Sequence, residues 1–163
     1  MRLIETSRPF AVRGFALCVL LLLAMTAWAQ APKVQWSAKV VPADARAGES
    51  AQVVLTAKIQ KEWHIYALRQ QGGPVATAFE VKGEAAKANG EAIQPDPQIK
   101  FDENFGVDVG LHEGEVSFAV PIQIANGGPG EQKLTVLATS QACNANTCDF
   151  PAQVEVPLAF TVQ

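Results

Sequence analysis

Ala51-Gln52-Val53-Val54-Leu55-Thr56-Ala57-Lys58-Ile59 places an apolar side chain at every second position, with Gln52, Thr56 and Lys58 between them. A side chain that returns to the same face every second residue marks a half-buried β-strand, whereas a helix repeats about every 3.6 residues. The pattern recurs twice. Val116, Phe118, Val120, Ile122 and Ile124 alternate against Ser117 and Gln123, and Val154, Val156, Leu158 and Phe160 alternate near the end. Shorter strand candidates run from Trp36 to Val41, Trp63 to Tyr66, Ala78 to Val81 and Leu134 to Thr139. Pro42-Ala43-Asp44, Gly72-Gly73-Pro74, Pro95-Asp96-Pro97 and Asn126-Gly127-Gly128-Pro129-Gly130 separate them as turns. Glu84 to Asn89 is helix-tolerant but too short to matter. Seven or eight short strands with regular turns predict an all-β, immunoglobulin-like β-sandwich.

Upstream of these strands the chain reads as a secretory leader. Arg2, Arg8 and Arg13 precede the apolar run Phe15 to Met25, and Ala27-Trp28-Ala29 supplies a small-x-small cleavage pattern. The run is short of the roughly 20 residues a spanning helix needs. Residues 1–29 are therefore expected to be removed, leaving one domain over 30–163 and a periplasmic location. Loss of the three leader arginines and Glu5 takes the net charge from −3 to −5. With no basic stripe, nucleic acid and anionic membrane surfaces are poor partners. No second apolar span follows the leader, so no direct membrane insertion is expected after cleavage.

The same cleavage removes Cys18 and leaves a single pair in the loop Cys143-Asn144-Ala145-Asn146-Thr147-Cys148. An exported pair this close is a structural staple or a redox centre, and spacing alone does not choose. Opposed residues on antiparallel strands have Cα atoms roughly 4.5–5.5 Å apart, within disulfide range. The loop is short, so closing it adds less than the roughly 3 kcal/mol expected for 15 residues.

Register adds a further expectation. If Cys143 faces Cys148, then Leu137 faces Val154, and the apolar sets of the two strands share a face only if one extra residue is absorbed. Pro151 cannot donate to a ladder, so a bulge or break is expected around Asp149 to Pro151, with the pair on an exposed rim. Asp149 is adjacent and no Lys, Arg or His is near in sequence, so the thiols lack the usual activating neighbours.

The stretch Gln141 to Pro151 resembles the terminal redox loop of the amino-terminal periplasmic domain of DsbD, the bacterial transmembrane thiol–disulfide transporter. Trp63-His64-Ile65-Tyr66 with Gly72-Gly73-Pro74, and Phe101-Asp102-Glu103-Asn104-Phe105-Gly106 ahead of Glu113-Gly114-Glu115-Val116, are similar to it too. The resemblance implies an immunoglobulin-like domain whose pair relays electrons between a membrane thiol transporter or thioredoxin-like donor and periplasmic oxidoreductases. Cytochrome c biogenesis is among the processes such a relay serves. It further implies that Cys148 forms mixed disulfides with thioredoxin-fold periplasmic proteins and that Cys143 resolves them. Asp102, Glu103 and Phe105 would form a cap over the pair, with Asn104 where the family's lid aromatic falls. No thioredoxin-like stretch is evident, so the reductant would come from a separate membrane thiol transporter. No cofactor or metal is implied.

Plainer readings stand beside these. A secreted binding sandwich with a structural disulfide accounts for the same composition. His64 reads as an ordinary half-buried strand residue and His112 as a solvated loop residue. Asp102 and Glu103 read as solvated loop carboxylates, Trp63 and Tyr66 as core and rim, and Phe101 and Phe105 as either core or lid. Hydrolase chemistry has no support: there is no G-x-S-x-G elbow or phosphate-binding glycine loop.

Overall fold

A computed structural model describes residues 31–70 and 72–163; the leader and Cys18 lie outside the described residues. The three alternating stretches become three of its four longest strands, β9 being the fourth. In chain order the elements are β1 (Val34–Val41), β2 (Ser50–Ile59), β3 (His64–Tyr66), β4 (Ala78–Lys82), β5 (Ala86–Ala88) and β6 (Gln98–Asp102). They continue with β7 (Val107–Glu113), β8 (Glu115–Ile124), β9 (Gly130–Ser140), β10 (Ala142–Cys143) and β11 (Ala152–Val162). No helix occurs among the described residues. The helix-tolerant segment forms β5, where Ala86 is fully buried beside β8.

The strands form three antiparallel sheets, ordered β1-β2-β8-β5, β11-β9-β4 and β10-β3-β7-β6. The first two face each other. Val53 and Leu55 of β2 and Val120 and Ile122 of β8 meet Leu134 and Val136 of β9 and Val156, Leu158 and Phe160 of β11. At about 25 cal/mol per Å2 of buried apolar surface, this cluster supplies the main drive for folding. The third sheet covers the far end of β2 and β8. Ile65 and Ala142 pack there on Ala57, Ile59, Val116 and Phe118. Trp36, Phe79 and Phe118 join the two clusters, with ring centroids 5.2–5.9 Å apart. The architecture is the immunoglobulin-like sandwich the strand pattern predicts.

The register break falls where Pro151 requires it. Val136 pairs with Val156 and Leu134 with Leu158, up to Ser140 with Ala152. Beyond that point Cys143 pairs with Cys148, one residue out of step. Asp149, Phe150 and Pro151 span the gap on one side against Gln141 and Ala142 on the other. Freed from β11, β10 pairs instead with β3, placing Ala142 opposite Ile65 and Cys143 opposite His64. Leu137 accordingly faces Glu155, not Val154.

This geometry adds two strands that the alternation did not mark and corrects one side-chain reading. Gln98–Asp102 and Val107–Glu113 pair as strands across a tight turn, although neither shows clean alternation. His112 is not a solvated loop residue: it is 6% exposed in β7, with its ring edge-on to Phe118 at 5.4 Å. Burial there lowers its pKa.

Candidate functional site

Cys143 and Cys148 are joined by a disulfide, with Cα atoms 4.0 Å apart. The loop between them is a tight polar turn. Asn144 Oδ1 accepts from the Asn146 and Thr147 backbone N–H groups, and the Asn144 N–H donates to the Thr147 carbonyl. The Asp149 N–H returns to the Ala142 carbonyl at 2.9 Å.

The expected exposed rim is not what forms. Because β10 has moved onto β3, Cys143 is fully buried against Tyr66, Val109 and Leu111. Cys148 remains half-buried at the edge of this cluster, against which Phe105 also packs. Next along the chain, Phe150 stands 94% exposed. The two cysteines of one bond thus differ in burial.

Phe105 reaches the cluster that holds Cys143 through the β6–β7 turn. The Gly106 N–H donates to the Asp102 carbonyl at 2.7 Å, and Gly106 takes a left-handed φ of 69° that a residue with Cβ adopts only with strain. That turn folds Phe105 back over β3, edge-on to Tyr66 with centroids 6.2 Å apart. Gly73 approaches from the other side at φ 78°, and a Cβ there would come within 3.1 Å of Val107 and 3.3 Å of Phe105. The glycine turn therefore gives the aromatic ring its room. Asn104 ties the segment to the cysteine loop, its Nδ2 donating to the Asn144 carbonyl at 3.3 Å.

Asp102 and Glu103 part company. Glu103 is exposed, as a loop carboxylate should be. Asp102 is 5% exposed, contrary to the solvated reading, because it closes β6 opposite Val107. Its Oδ2 accepts from the Tyr66 hydroxyl at 2.6 Å and its Oδ1 from the Asn104 N–H at 2.8 Å. Burial works to raise its pKa, but those hydrogen bonds and nearby His64 hold it below the usual carboxylate range. Tyr66 is correspondingly pushed well above the ordinary phenol, first by burial and then by donating to that carboxylate.

His64 completes the cluster. Its Nε2 lies 3.3 Å from the Tyr66 oxygen and 3.8 Å from Asp102 Oδ2. Desolvation lowers its pKa; Asp102 and Glu113 pull upward without reversing the shift, and Lys100 adds to the lowering. A groove of about 330 Å3 opens beside the cysteine loop, lined by His64, Lys100, Asp102, Glu103, Glu113 and Asn144 among others.

The structure thus gathers Cys143, Cys148, Asp102 and Phe105 at one place, with Glu103 on the groove wall. Phe101 also lines the groove but lies outside the cysteine cluster, 63% exposed in β6 next to buried Asp102. Sequence reasoning missed the roles of Tyr66, His64 and Asn104 in holding this arrangement. The one available signal was period two in Trp63-His64-Ile65-Tyr66, which puts His64 and Tyr66 on one face.

Fold and site together define an immunoglobulin-like β-sandwich whose asymmetrically buried disulfide shares one small cluster with Tyr66 and Phe105. Residues 32–159 match the family model described as "Thiol:disulfide interchange protein DsbD, N-terminal", and the chain belongs to that family. Among solved structures, it is similar to the DsbD N-terminal domain of Neisseria meningitidis in its reduced form. The TM-score is 0.50 at 17% identity, over 78% of this chain and 90% of that one. It is also similar to the N-terminal periplasmic domain of ScsB from Proteus mirabilis, with a TM-score of 0.57 at 16% identity, over 80% of this chain and 47% of that one. At such identities these likenesses establish the fold alone. No curated protein matches the sequence.

Proposed function

We propose that this chain is a periplasmic thiol–disulfide exchange domain that relays electrons between a membrane thiol transporter or thioredoxin-like donor and thioredoxin-fold periplasmic oxidoreductases. Cleavage of residues 1–29 would deliver the domain, residues 30–163, to that compartment. Cys148 is the sulfur that partner thiols attack, and Cys143 is the resolving cysteine. Phe105 covers the bond between encounters, with Asp102 anchoring the turn that carries it and Glu103 on its solvent side. DsbD and ScsB are the named proteins whose N-terminal domains share this fold.

One observation carries the reading: Cys143 is 0% exposed, whereas Cys148 is only half-buried at the edge of the same cluster, beside a turn tied to its loop by a single exposed side-chain hydrogen bond. Exchange proceeds by in-line attack of a thiolate on one sulfur, so unequal access selects the sulfur attacked. A fully buried leaving cysteine beside a half-buried one gives the pair direction. The competing reading, a non-catalytic secreted sandwich with a structural disulfide, draws on the same full burial of Cys143.

A Cys143→Ser chain decides between them. With Cys148 alone in the periplasm, covalent adducts with thioredoxin-fold proteins should accumulate and dissolve on adding reductant. Absence of any adduct, together with a reduction potential below about −300 mV for the wild-type pair, would favour the structural reading.

A further inference from the structure

We propose that His64 is the proton acceptor for Cys143 when that buried thiol closes the mixed disulfide formed at Cys148. The inference rests on the reading of the pair as an exchanging one and adds a residue that reading does not contain.

Placement comes first. β10 and β3 pair so that Cys143 and His64 are directly opposed. Directly opposed residues of an antiparallel pair send their side chains to the same face, with Cβ atoms about 4.5–5.5 Å apart. Both therefore face the cluster containing Tyr66. β10 lies on the cysteine-loop side of the register break at Asp149–Pro151, bonded to β3 on one edge and to the returning chain at Cys148 and Asp149 on the other.

Hydrogen bonding then fixes the ring. The Tyr66 hydroxyl has one hydrogen, and it goes to Asp102 Oδ2, an acceptor-only group, at 2.6 Å. Its oxygen can only accept from His64 Nε2, 3.3 Å away. A neutral imidazole that donates from Nε2 carries its free lone pair on Nδ1. The chain Asp102–Tyr66–His64 thus sets one tautomer, and its far end is tied by the Asn104 N–H to the turn carrying Phe105.

Need supplies the third part. Cys143 is fully buried among Tyr66, Val109 and Leu111, near a carboxylate whose side chain is 2% exposed. A free thiolate in such surroundings is disfavoured by desolvation and by the neighbouring negative charge. Attack by Cys143 is therefore easiest if its proton leaves as the new bond forms. His64 meets the requirement: it is neutral near pH 7 because burial lowers its pKa. The groups facing it are Tyr66 on β3, Asp102 and Lys100 on β6, Glu113 on β7 and Cys143 on β10; Glu62 also lines the groove.

The Cys143 S–H proton passes to His64, and the electron pair left on Cys143 Sγ forms a bond to Cys148 Sγ. The bond between Cys148 and the partner sulfur breaks, and the partner leaves as a thiolate with that bond's electron pair. The domain's two thiols are oxidised to a disulfide and the partner's disulfide is reduced. The reverse reaction returns the proton from His64 to Cys143. Tyr66 and Asp102 are positioning residues here.

The test uses the reduced chain and an aromatic disulfide reagent that releases a coloured thiolate. A first release reports attack by Cys148, and a second reports closure by Cys143. In the wild type the second rate should be level from about pH 7 to 8 and should fall on acidification below about pH 6.5, as His64 protonates. In His64→Gln the second rate should drop about 100-fold at pH 7 and rise tenfold per pH unit, with the first release unchanged. A second rate within about twofold of wild type, or an unaltered pH profile, would overturn the proposal. Should that variant misfold, nitrogen NMR of the wild-type ring decides. The Nε2–H tautomer is expected, and an Nδ1–H tautomer would overturn it. No partner protein takes part, so loss of trapped adducts with a normal second release would strike the relay reading alone.

Discussion

The two ends of this sandwich are built on different rules. In the large cluster, strands of eight to eleven residues from β1, β2, β8, β9 and β11 bury mainly aliphatic side chains in strict alternation. In the small sheet, strands of two to seven residues bury Tyr66, Asp102, His112 and Cys143 and half-bury His64. The first region obtains its stability from apolar area, which is non-directional and tolerant. The second depends on specific hydrogen bonds, where every lost partner leaves a buried polar group unsatisfied. Fold and chemistry are thereby separated: the long strands can hold the chain folded while the small sheet changes redox state. Regions with little apolar burial are also those that open locally at low cost.

The largest effect should come from the long-strand region. Leu55→Ala removes a fully buried side chain from the main cluster and is expected to cost about 2–5 kcal/mol. Urea unfolding measures it, and the chain that remains folded should exchange thiols at the wild-type rate. A slowed exchange in folded protein would mean that the two ends are coupled.

Opening the disulfide should matter less. A six-residue loop gives about 2 kcal/mol by chain entropy, so the reduced protein should stay folded with a lower urea midpoint. Unfolding on reduction would place the brace reading ahead of the exchange reading.

Tyr66→Phe comes next, at about 1–2 kcal/mol at pH 7, because Asp102 stays buried and loses its shortest donor. The sign with pH is definite. Asp102 has a folded pKa below its unfolded value, so its contribution is present above about pH 4 and is lost as pH falls through the folded pKa. The gap between variant and wild type should therefore narrow in acid. Midpoints at pH 7 and pH 3 check it, and a gap that widens contradicts the Tyr66–Asp102 bond.

Asn104→Ala should have the smallest effect on stability, a few tenths of a kcal/mol, since its bond to the Asn144 carbonyl is exposed. Its signature is kinetic. With the tie removed, a small thiol should reduce the pair several-fold faster, read by trapping free thiols over time. An unchanged rate would show that the Phe105 turn is held by Asp102 and Gly106 alone.

How far the residues could be read in advance follows the same divide. The alternation in Ala51–Ile59, Val116–Ile124 and Val154–Phe160 was sufficient for three strands and their inward faces. Leu134 and Val136 against Val156 and Leu158, set beside the cysteine spacing, even located the register break. Period two is a local property, and burial on one face imposes it directly on the chain. Gln98–Asp102 escaped because four of its five residues are exposed and no face of it is selected for apolarity. His112 escaped because a buried imidazole beside Phe118 looks, in one dimension, like any residue between two loop glycines.

Sequence alone therefore settled the all-β class, the single close cysteine pair and the point where its strands fall out of step. Tertiary structure alone decided that β10 crosses to β3, that Cys143 is sealed while Cys148 is not, and that His64, Tyr66 and Asp102 meet. The reason is range: strand alternation is written between neighbours along the chain. A bond from Tyr66 to Asp102 joins residues 36 positions apart and exists only after three strands have paired.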